Sequence, residues 1–288
     1  MGDVPIDDSS MDDDEEGGAK KKRRVQILTP EEEMMLAMKV DRQGDALPER
    51  WAARYKDDIS GAPLDEEAVR KGEEEEMDFV KKSNLYTKMR RSDIGGARVI
   101  PVRWVRVNKG TEDKPNVRCR LVAKEIKMYN DDSLFAATPP LESIKMLVAI
   151  AASKQWRIVH IDIKRAYFNA KALRDVYVEL DKSDKVDDTE DMVGKLNYAM
   201  YGTRDAASSW EACYTDAMKK AGFTQGTYTP CVFKKDETVV TVHGDDFTIT
   251  GPDAGVEHIE KHLSTVFGVK IQRLDPQSIG QELIVLNR

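Results

Sequence analysis

Short runs of β-branched and aromatic residues recur through the second half of the chain, separated by turns and by segments with helical spacing. From residue 157 to residue 274 the predicted order is strand, helix, strand, helix, strand, strand, helix, strand. Strands this short must pair with one another and pack against helices before they bury an apolar face. The pattern therefore predicts a small antiparallel sheet backed by helices, which is an α+β fold.

The segment before this region predicts a β-hairpin and a helix. ARVIPVRWVRVNKG alternates apolar and polar residues, and VRCRLVAKEI at residues 117–126 is its expected antiparallel partner. The segment 139–156 has apolar residues at helical spacing, as do 205–223 and 253–267. We therefore expect three helices behind the sheet.

Charge divides the chain into parts. The 288 residues carry a net charge of −7, but residues 1–76 hold 12 Lys and Arg against 23 Asp and Glu, so the remainder is mildly basic. Residues 1–28 predict a disordered tail that is acidic and then basic. Residues 29–96 predict a helical N-terminal arm, peripheral because its apolar residues are sparse. Residues 97–288 are the expected main body.

Several features narrow the class of protein. The three cysteines form no Cys-x-x-Cys pair, which argues against a disulfide scaffold or a cysteine-based zinc module. The sequence has no apolar run long enough to span a membrane and no signal-peptide pattern at its acidic start. We expect an intracellular protein, cytoplasmic or nuclear and not secreted. The basic run Lys20–Arg24 fits a signal for a nuclear import receptor or a solvated linker.

Three aspartates stand out because strongly apolar strand segments surround them. Asp162 lies inside IVHIDIKRAYF, and Asp245 and Asp246 are adjacent in VVTVHGDDFTITG. A charge in such a strand is costly to bury unless it is paired or binds a metal. If the two strands are neighbours, these carboxylates converge and favour Mg²⁺ or Mn²⁺. An ordinary Asp-rich hairpin turn explains Asp245 and Asp246 equally well.

Four segments, in order, resemble motifs of the copia-type LTR-retrotransposon reverse transcriptases. HIDIKRAYFNA is similar to the family's D-[VI]-K-x-A-[FY] motif, and VHGDDFTITG to its Y-V-D-D hairpin. MYGTRDAASSW is similar to the Y-G-L-x-Q-[AS]-P-R-x-W segment, and RWVRVNKG with RCRLVAKEI to the fingers hairpin. The similarity implies a right-hand polymerase with fingers and palm. Since the chain stops at Arg288, we expect the family's thumb and RNase H to be missing.

The resemblance implies a catalytic centre with two Mg²⁺ or Mn²⁺ ions. Asp162 and Asp245 correspond to the metal ligands, together with the backbone carbonyl of Ile163. Asp246 corresponds to the third catalytic carboxylate.

The resemblance also implies contacts with the incoming nucleotide. Arg120 corresponds to the arginine that holds the triphosphate, and Lys114 or Lys109 is its expected lysine partner. Tyr167 corresponds to the steric gate against a ribose 2′-OH, although an ordinary buried aromatic residue is the alternative. Gly202 is expected beside the nascent base pair.

Two departures from the family pattern concern substrate contacts. His243 and Gly244 stand where the family usually has Tyr-Val, and this puts primer or template contact near the metals in doubt. Asp205 and Ala207 replace the usual Gln and Pro, which puts the template contacts of that segment in doubt.

The sequence thus supports three hypotheses of function. The first is an RNA-directed DNA polymerase that adds dNTPs to the 3′-OH of a primer on an RNA or DNA template. The second is an inactive, truncated remnant that only binds nucleic acid. The third is a nuclear interaction protein that acts through its acidic and basic N-terminal tracts.

Overall fold

The computed structural model describes residues 54–111, 113–125, 139–184 and 191–285. The expectations for the tail at 1–28 and for the import signal at Lys20–Arg24 lie outside these residues. In the described residues the α-helices are Glu66–Lys82 (α1), Leu141–Lys154 (α2), Ala206–Lys220 (α3) and Asp253–Val266 (α4).

The strands form three sheets. Their bounds are Tyr86–Arg90 (β1), Val99–Ile100 (β2), Val102–Asn108 (β3), Val117–Ala123 (β4), Ile158–Ile163 (β5), Tyr177–Glu179 (β6), Met192–Leu196 (β7), Thr224–Gln225 (β8), Val232–Lys235 (β9), Thr238–His243 (β10), Asp246–Thr250 (β11) and Val269–Leu274 (β12). The main sheet has the order β12-β5-β11-β10-β9-β8, and all its pairs are antiparallel. A second sheet has the order β1-β7-β6-β2, and β3 and β4 form a hairpin.

The main sheet buries one face of β5 against α3 and α4. Val159, Ile161 and Ile163 alternate along β5, and they are fully buried in a cluster with side chains of α3 and α4. Because successive side chains of a strand point to opposite faces, His160 and Asp162 lie on the other face. Helix α2 covers that face at the Ile158 end, where Leu147 packs.

Much of the predicted architecture agrees with the structure. The helices and antiparallel sheet fit the expected α+β class, and the β3–β4 hairpin forms as predicted. Strands β1 and β7 were not predicted, and they pair with each other across about a hundred residues of chain. The β2–β6 pair is parallel, so the second sheet is not purely antiparallel.

The expectation that the segment before residue 97 is peripheral was wrong for α1. The helix begins at Asp65, whose carboxylate accepts a hydrogen bond from the Ala68 N–H at 2.7 Å. Val69, Met77 and Val80 are buried against the hairpin and its surroundings. Helix α1 is therefore part of the core around β4.

Candidate active site

The three predicted aspartates come together at one end of the main sheet. Strands β5 and β11 are antiparallel neighbours, with Asp162 directly opposite Asp246. Asp245 lies in the turn before β11, and its carbonyl oxygen accepts a hydrogen bond from the Ile163 N–H at 2.9 Å. The condition for convergence of the three carboxylates, that the two strands are neighbours, is therefore met. Asp162, Asp245 and Asp246 are called the aspartate cluster below.

Local sequence explains the sharp turn at this cluster. Strands β10 and β11 are joined by only Gly244 and Asp245, and Gly244 has a φ of +64°, a conformation that favours glycine. The space around a Cβ at Gly244 is empty, so backbone conformation and not crowding explains the glycine. The indole N–H of buried Trp210 donates to the Gly244 carbonyl at 2.7 Å. Helix α3 therefore holds the turn from behind.

The aspartate cluster concentrates negative charge. The pKa of Asp245 is raised, first by desolvation of its carboxylate and further by the charges of Asp246 and Asp162. The residue nevertheless remains exposed at the surface. Repulsion between carboxylates that keep access to solvent suits a hard divalent cation with oxygen ligands.

The carboxylates of the aspartate cluster are oxygen ligands of the kind that divalent cations prefer. Within the described ranges, no three His, Cys, Asp or Glu side chains are grouped closely enough to hold a metal ion. The donor chemistry of Asp162 and Asp245 fits Mg²⁺ or Mn²⁺, and the neighbouring backbone of Ile163 lies beside them. The predicted metal ligands thus stay a prediction.

His160 contacts the aspartate cluster. It is 6% exposed, and its Nε2 lies 3.2 Å from Oδ1 of Asp246. Its Nδ1 is buried without a hydrogen-bond partner in the described part of the chain. The carboxylate of Asp246 is therefore engaged within the protein. Alternation along β5 places His160 on the face of Asp162, but the contact with Asp246 arises only from the pairing of β5 with β11.

Tyr167 lies near the cluster on the 3₁₀ turn Ala166–Asn169, which follows β5. Its ring centroid is 5.0 Å from that of Tyr201. Burial raises the pKa of Tyr167, and the charge of Asp245 raises it further. Burial also raises the pKa of Tyr201 to about 12. The charge of Asp245 therefore acts on both of these half-buried phenol groups.

Arg120 projects from β4 toward the same region. Its Nη1 donates to Oε2 of Glu76 at 2.8 Å. Its pKa is lowered, chiefly because the guanidinium is buried, and the charges of Arg118 and Arg165 contribute. The sequence reasoning missed Glu76 and Arg165, since a glutamate in the run EEEE gives no sign that it is buried.

The structure separates the two expected lysines from this region. Lys109 and Lys114 are exposed residues at the tip of the β3–β4 hairpin. In the described residues, neither Lys109 nor Lys114 contacts the aspartate cluster. Arg118 is also exposed, lies two residues from Arg120 on the same face of β4, and lowers the pKa of Asp245 by its charge. Arg118 is therefore better placed than Lys109 or Lys114 to act on Asp245. Its spacing of two residues from Arg120 along β4 was the sequence signal for it.

Gly202 is needed for a contact inside the protein. It has a φ of +83°, and a Cβ built on it would overlap the carbonyl oxygen of Ala123. The Ala123 N–H also donates to the Tyr201 carbonyl at 2.8 Å. The segment 201–202 therefore packs directly on the end of β4, while the expected position beside a base pair stays a prediction.

Asp205, one of the departures from the family pattern, is buried in an ion-pair network. Its Oδ1 lies 3.0 Å from Nη2 of Arg174, which also pairs with Glu125 at 2.5 Å. Glu125 accepts further hydrogen bonds from the backbone and the guanidinium of Arg204. These four residues are called the Glu125 cluster below. The carboxylate of Asp205 is thus neutralised inside the protein.

The fold and the aspartate cluster on neighbouring strands are those expected of a nucleic-acid polymerase. The chain belongs to the reverse transcriptase (RNA-dependent DNA polymerase) family, whose sequence profile matches residues 90–282. The predicted resemblance to copia-type enzymes is confirmed.

Curated relatives of the chain are transposon polyproteins of plants. The chain is 26% identical over 225 residues to the "Retrovirus-related Pol polyprotein from transposon TNT 1-94" of Nicotiana tabacum, an alignment that covers 74% of this chain and 17% of the relative. The corresponding polyproteins from transposons RE1 and RE2 of Arabidopsis thaliana are 26% and 25% identical over 185 residues, covering 60% of this chain and 12% of each relative. The chain therefore spans a small part of the relatives that it matches.

None of the helices in the described residues is both long enough and apolar enough to cross a bilayer.

Proposed function

We propose that the chain is the fingers and palm of an RNA-directed DNA polymerase that extends a primer with deoxynucleotides. The observation that carries the proposal is the pairing of β5 with β11, which sets Asp162 opposite Asp246 beside the turn with Asp245. The match of the reverse transcriptase profile over residues 90–282 supports it. The β3–β4 hairpin is the proposed fingers element, and the main sheet is the proposed palm.

The aspartates have distinct proposed roles. Asp162 and Asp245, with the carbonyl oxygen of Ile163, hold two Mg²⁺ or Mn²⁺ ions, and Asp246 is the third carboxylate. When bound, such ions lower the pKa of the primer 3′-OH and neutralise charge on the triphosphate and the leaving pyrophosphate. The pKa of Asp245 is raised chiefly by desolvation and further by the charges of Asp246 and Asp162, and this excess of negative charge supports a cation at this position.

The nucleotide contacts come from β4 and from the turn after β5. Arg120 and Arg118 bind the triphosphate through guanidinium hydrogen bonds, because both lie on one face of β4 and influence charges in the site. Arg118 takes the role first expected of Lys114 or Lys109. Tyr167 crowds the ribose 2′ position and so selects dNTPs. The template and primer bind through the mildly basic body of the chain.

A primer-extension assay on an RNA template with Mg²⁺ or Mn²⁺ tests this proposal. D245N is compared with D236N, since Asp236 lies in the neighbouring turn of the same sheet, between β9 and β10. We expect D245N to lower the extension rate at least about a hundredfold, because a lost metal ligand removes several kcal/mol of transition-state stabilisation. D236N keeps the wild-type rate. Extension that survives D245N would falsify the assigned mechanism.

Two observations favour the second candidate, a nucleic-acid-binding remnant without catalysis. Asp246 is engaged by His160, and the described residues contain no ready group of three metal ligands. Under this alternative the wild-type chain binds primer–template with an affinity that falls with salt and incorporates no nucleotide with either metal.

A further inference from the structure

Glu76 is a buried charge that the proposed chemistry leaves unexplained. It lies in the second half of α1 and is fully buried. Its Oε2 accepts hydrogen bonds from Nη1 of Arg120 at 2.8 Å and from Nε of Arg165 at 3.0 Å. One arginine belongs to the hairpin and the other directly follows the strand of Asp162. A single carboxylate thus joins two elements that border the aspartate cluster.

Arg165 is held in an unusual backbone conformation. Its φ of +50° lies in the left-handed region, which a residue with a side chain rarely adopts. Its guanidinium lies 4.0 Å from the ring centroid of Phe79, which follows Glu76 by about one turn of α1. Helix α1 therefore grips Arg165 by an ion pair and by a ring contact. The 3₁₀ turn that carries Tyr167 begins at the next residue. The contacts of Arg165 with α1 therefore fix the position of the start of this turn.

Arg120 is oriented by the same carboxylate. Its Nη1 donates to Glu76 and to the Cys119 carbonyl oxygen at 3.0 Å. Within the described residues, the hydrogen bonds of Arg120 are made by Nη1. A guanidinium anchored through one nitrogen presents the others in a fixed direction, which suits phosphate oxygens.

Stability alone is a poor explanation for this arrangement. Buried ion pairs often stabilise a fold no better than apolar side chains of the same volume. In addition, Oε1 of Glu76 is buried without a hydrogen-bond partner in the described part of the chain. An incompletely satisfied buried carboxylate is unfavourable for folding, so a role in positioning is the better explanation.

We infer that Glu76 is a positioning residue of the nucleotide site, which sets Arg120 for the triphosphate and, through Arg165, sets Tyr167 for the sugar. This inference rests on the proposed polymerase function. It predicts that one glutamate on α1 influences both triphosphate affinity and the choice between dNTP and rNTP.

The test compares E76Q with E73Q in the full chain. Glu73 lies about one turn earlier on α1 and accepts a hydrogen bond from Nε of Arg106 on the same hairpin at 2.7 Å. It is therefore a matched control for the loss of one paired glutamate. Two quantities are measured: the Kd of a fluorescent dNTP analogue in the presence of primer–template, and the ratio of kcat/KM for dATP and ATP in primer extension.

We expect E76Q to raise the Kd and KM for dNTP about tenfold, the effect of one lost charge-assisted hydrogen bond, with a smaller change in kcat. The preference for dATP over ATP falls as well, because the turn that carries Tyr167 is no longer anchored through Arg165. E73Q leaves the Kd and the preference at wild-type values. The inference is overturned if E76Q behaves like E73Q, or if it lowers kcat alone.

The outcome also separates the two proposals. A wild-type chain that neither extends a primer nor binds the dNTP analogue overturns the polymerase proposal and this inference with it. A wild-type chain that extends, with E76Q equal to E73Q, overturns the inference alone. If the wild type binds the analogue but does not extend the primer, the polymerase proposal fails. The inference on Glu76 is then decided by whether E76Q raises the Kd of the analogue and E73Q does not.

A second variant, R165Q, is used if E76Q shows no cooperative unfolding transition and is therefore not folded. R165Q keeps the Glu76–Arg120 ion pair and removes only the link to the Tyr167 turn. We expect R165Q to lower the preference for dATP while the Kd of the dNTP analogue stays closer to the wild-type value. An unchanged preference in R165Q contradicts the inference.

Discussion

The aspartate cluster and the Glu125 cluster are both acidic, but the fold balances their charges differently. In the Glu125 cluster, Glu125 and Asp205 are paired with Arg174 and Arg204. Burial would raise the pKa of Glu125, but hydrogen bonds from Arg204 and Arg174 outweigh it and lower the pKa. In the aspartate cluster, by contrast, the pKa of Asp245 is raised. The neutralised carboxylates of the Glu125 cluster link parts of the fold. The aspartate cluster keeps an excess of negative charge, which a bound cation can neutralise.

The largest expected effect comes from removing a charge from the aspartate cluster. D162N should lower primer extension about a thousandfold, which corresponds to about 4 kcal/mol of activation free energy. The free energy of unfolding should not fall, because a repulsive charge is lost. Extension kinetics and urea unfolding measure the two quantities. D216N, at an exposed position of α3, is the control, and a strongly destabilised D162N would contradict the comparison.

Breaking the Glu125 cluster should act on stability instead. R174M leaves the carboxylates of Glu125 and Asp205 buried with fewer partners, so we expect a loss of about 2–3 kcal/mol in the free energy of unfolding. The control is R157M, because Arg157 pairs with the exposed acids Asp253 and Asp275, where a loss of at most about 1 kcal/mol is expected. Equal losses in both variants would show that the Glu125 cluster is no more than a surface network.

The smallest expected effect is the pH dependence of E125Q. At pH 7 we expect this variant to be about 1–2 kcal/mol less stable than the wild type. Because the native pKa of Glu125 is lowered, its stabilisation is present above the ordinary value of 4.5 and is lost as the pH falls through the native pKa. Urea unfolding of both proteins from pH 7 to pH 3 measures the difference, which should shrink toward the acidic end. A constant difference would exclude ionisation of Glu125 as the cause.

Sequence periodicity predicted most strands of the main sheet because they are apolar and bounded by turns. Strands β10 and β11 are joined by a tight turn, and helices α2 to α4 begin and end within a few residues of the predicted bounds. The second sheet could not be predicted in the same way. Its strands β1 and β7 are short and find each other only through tertiary contacts.

Helix α1 shows why its burial was missed. The buried face runs through Val69, Gly72, Glu76 and Val80, at helical spacing. Two of these four residues are not recognisable as apolar. Gly72 is small because a Cβ there would lie 2.9 Å from Sγ of Cys119. Glu76 is buried because two arginines pair with it.

The candidate site was predictable in its motifs and not in their partners. Asp162, Asp245 and Asp246 stand in apolar strands, which is a local signal that the sequence carries directly. The contacts of His160 with Asp246 and of Arg174 with Asp205 depend on which elements become neighbours. Such pairs have no fixed spacing along the chain, so the sequence alone does not reveal them.

The position of β5 inside the sheet has a consequence for how this sequence can change over time. The strand is paired on one side with β11 and on the other with β12, so neither edge is free to slide. Deleting one residue ahead of Asp162 within β5 would exchange its two faces. Asp162 would then point among the helices, and an isoleucine would stand among the carboxylates. Substitutions can accumulate gradually along this strand. A single-codon deletion or insertion, however, would disrupt the packing of the core and the arrangement of the aspartate cluster at the same time.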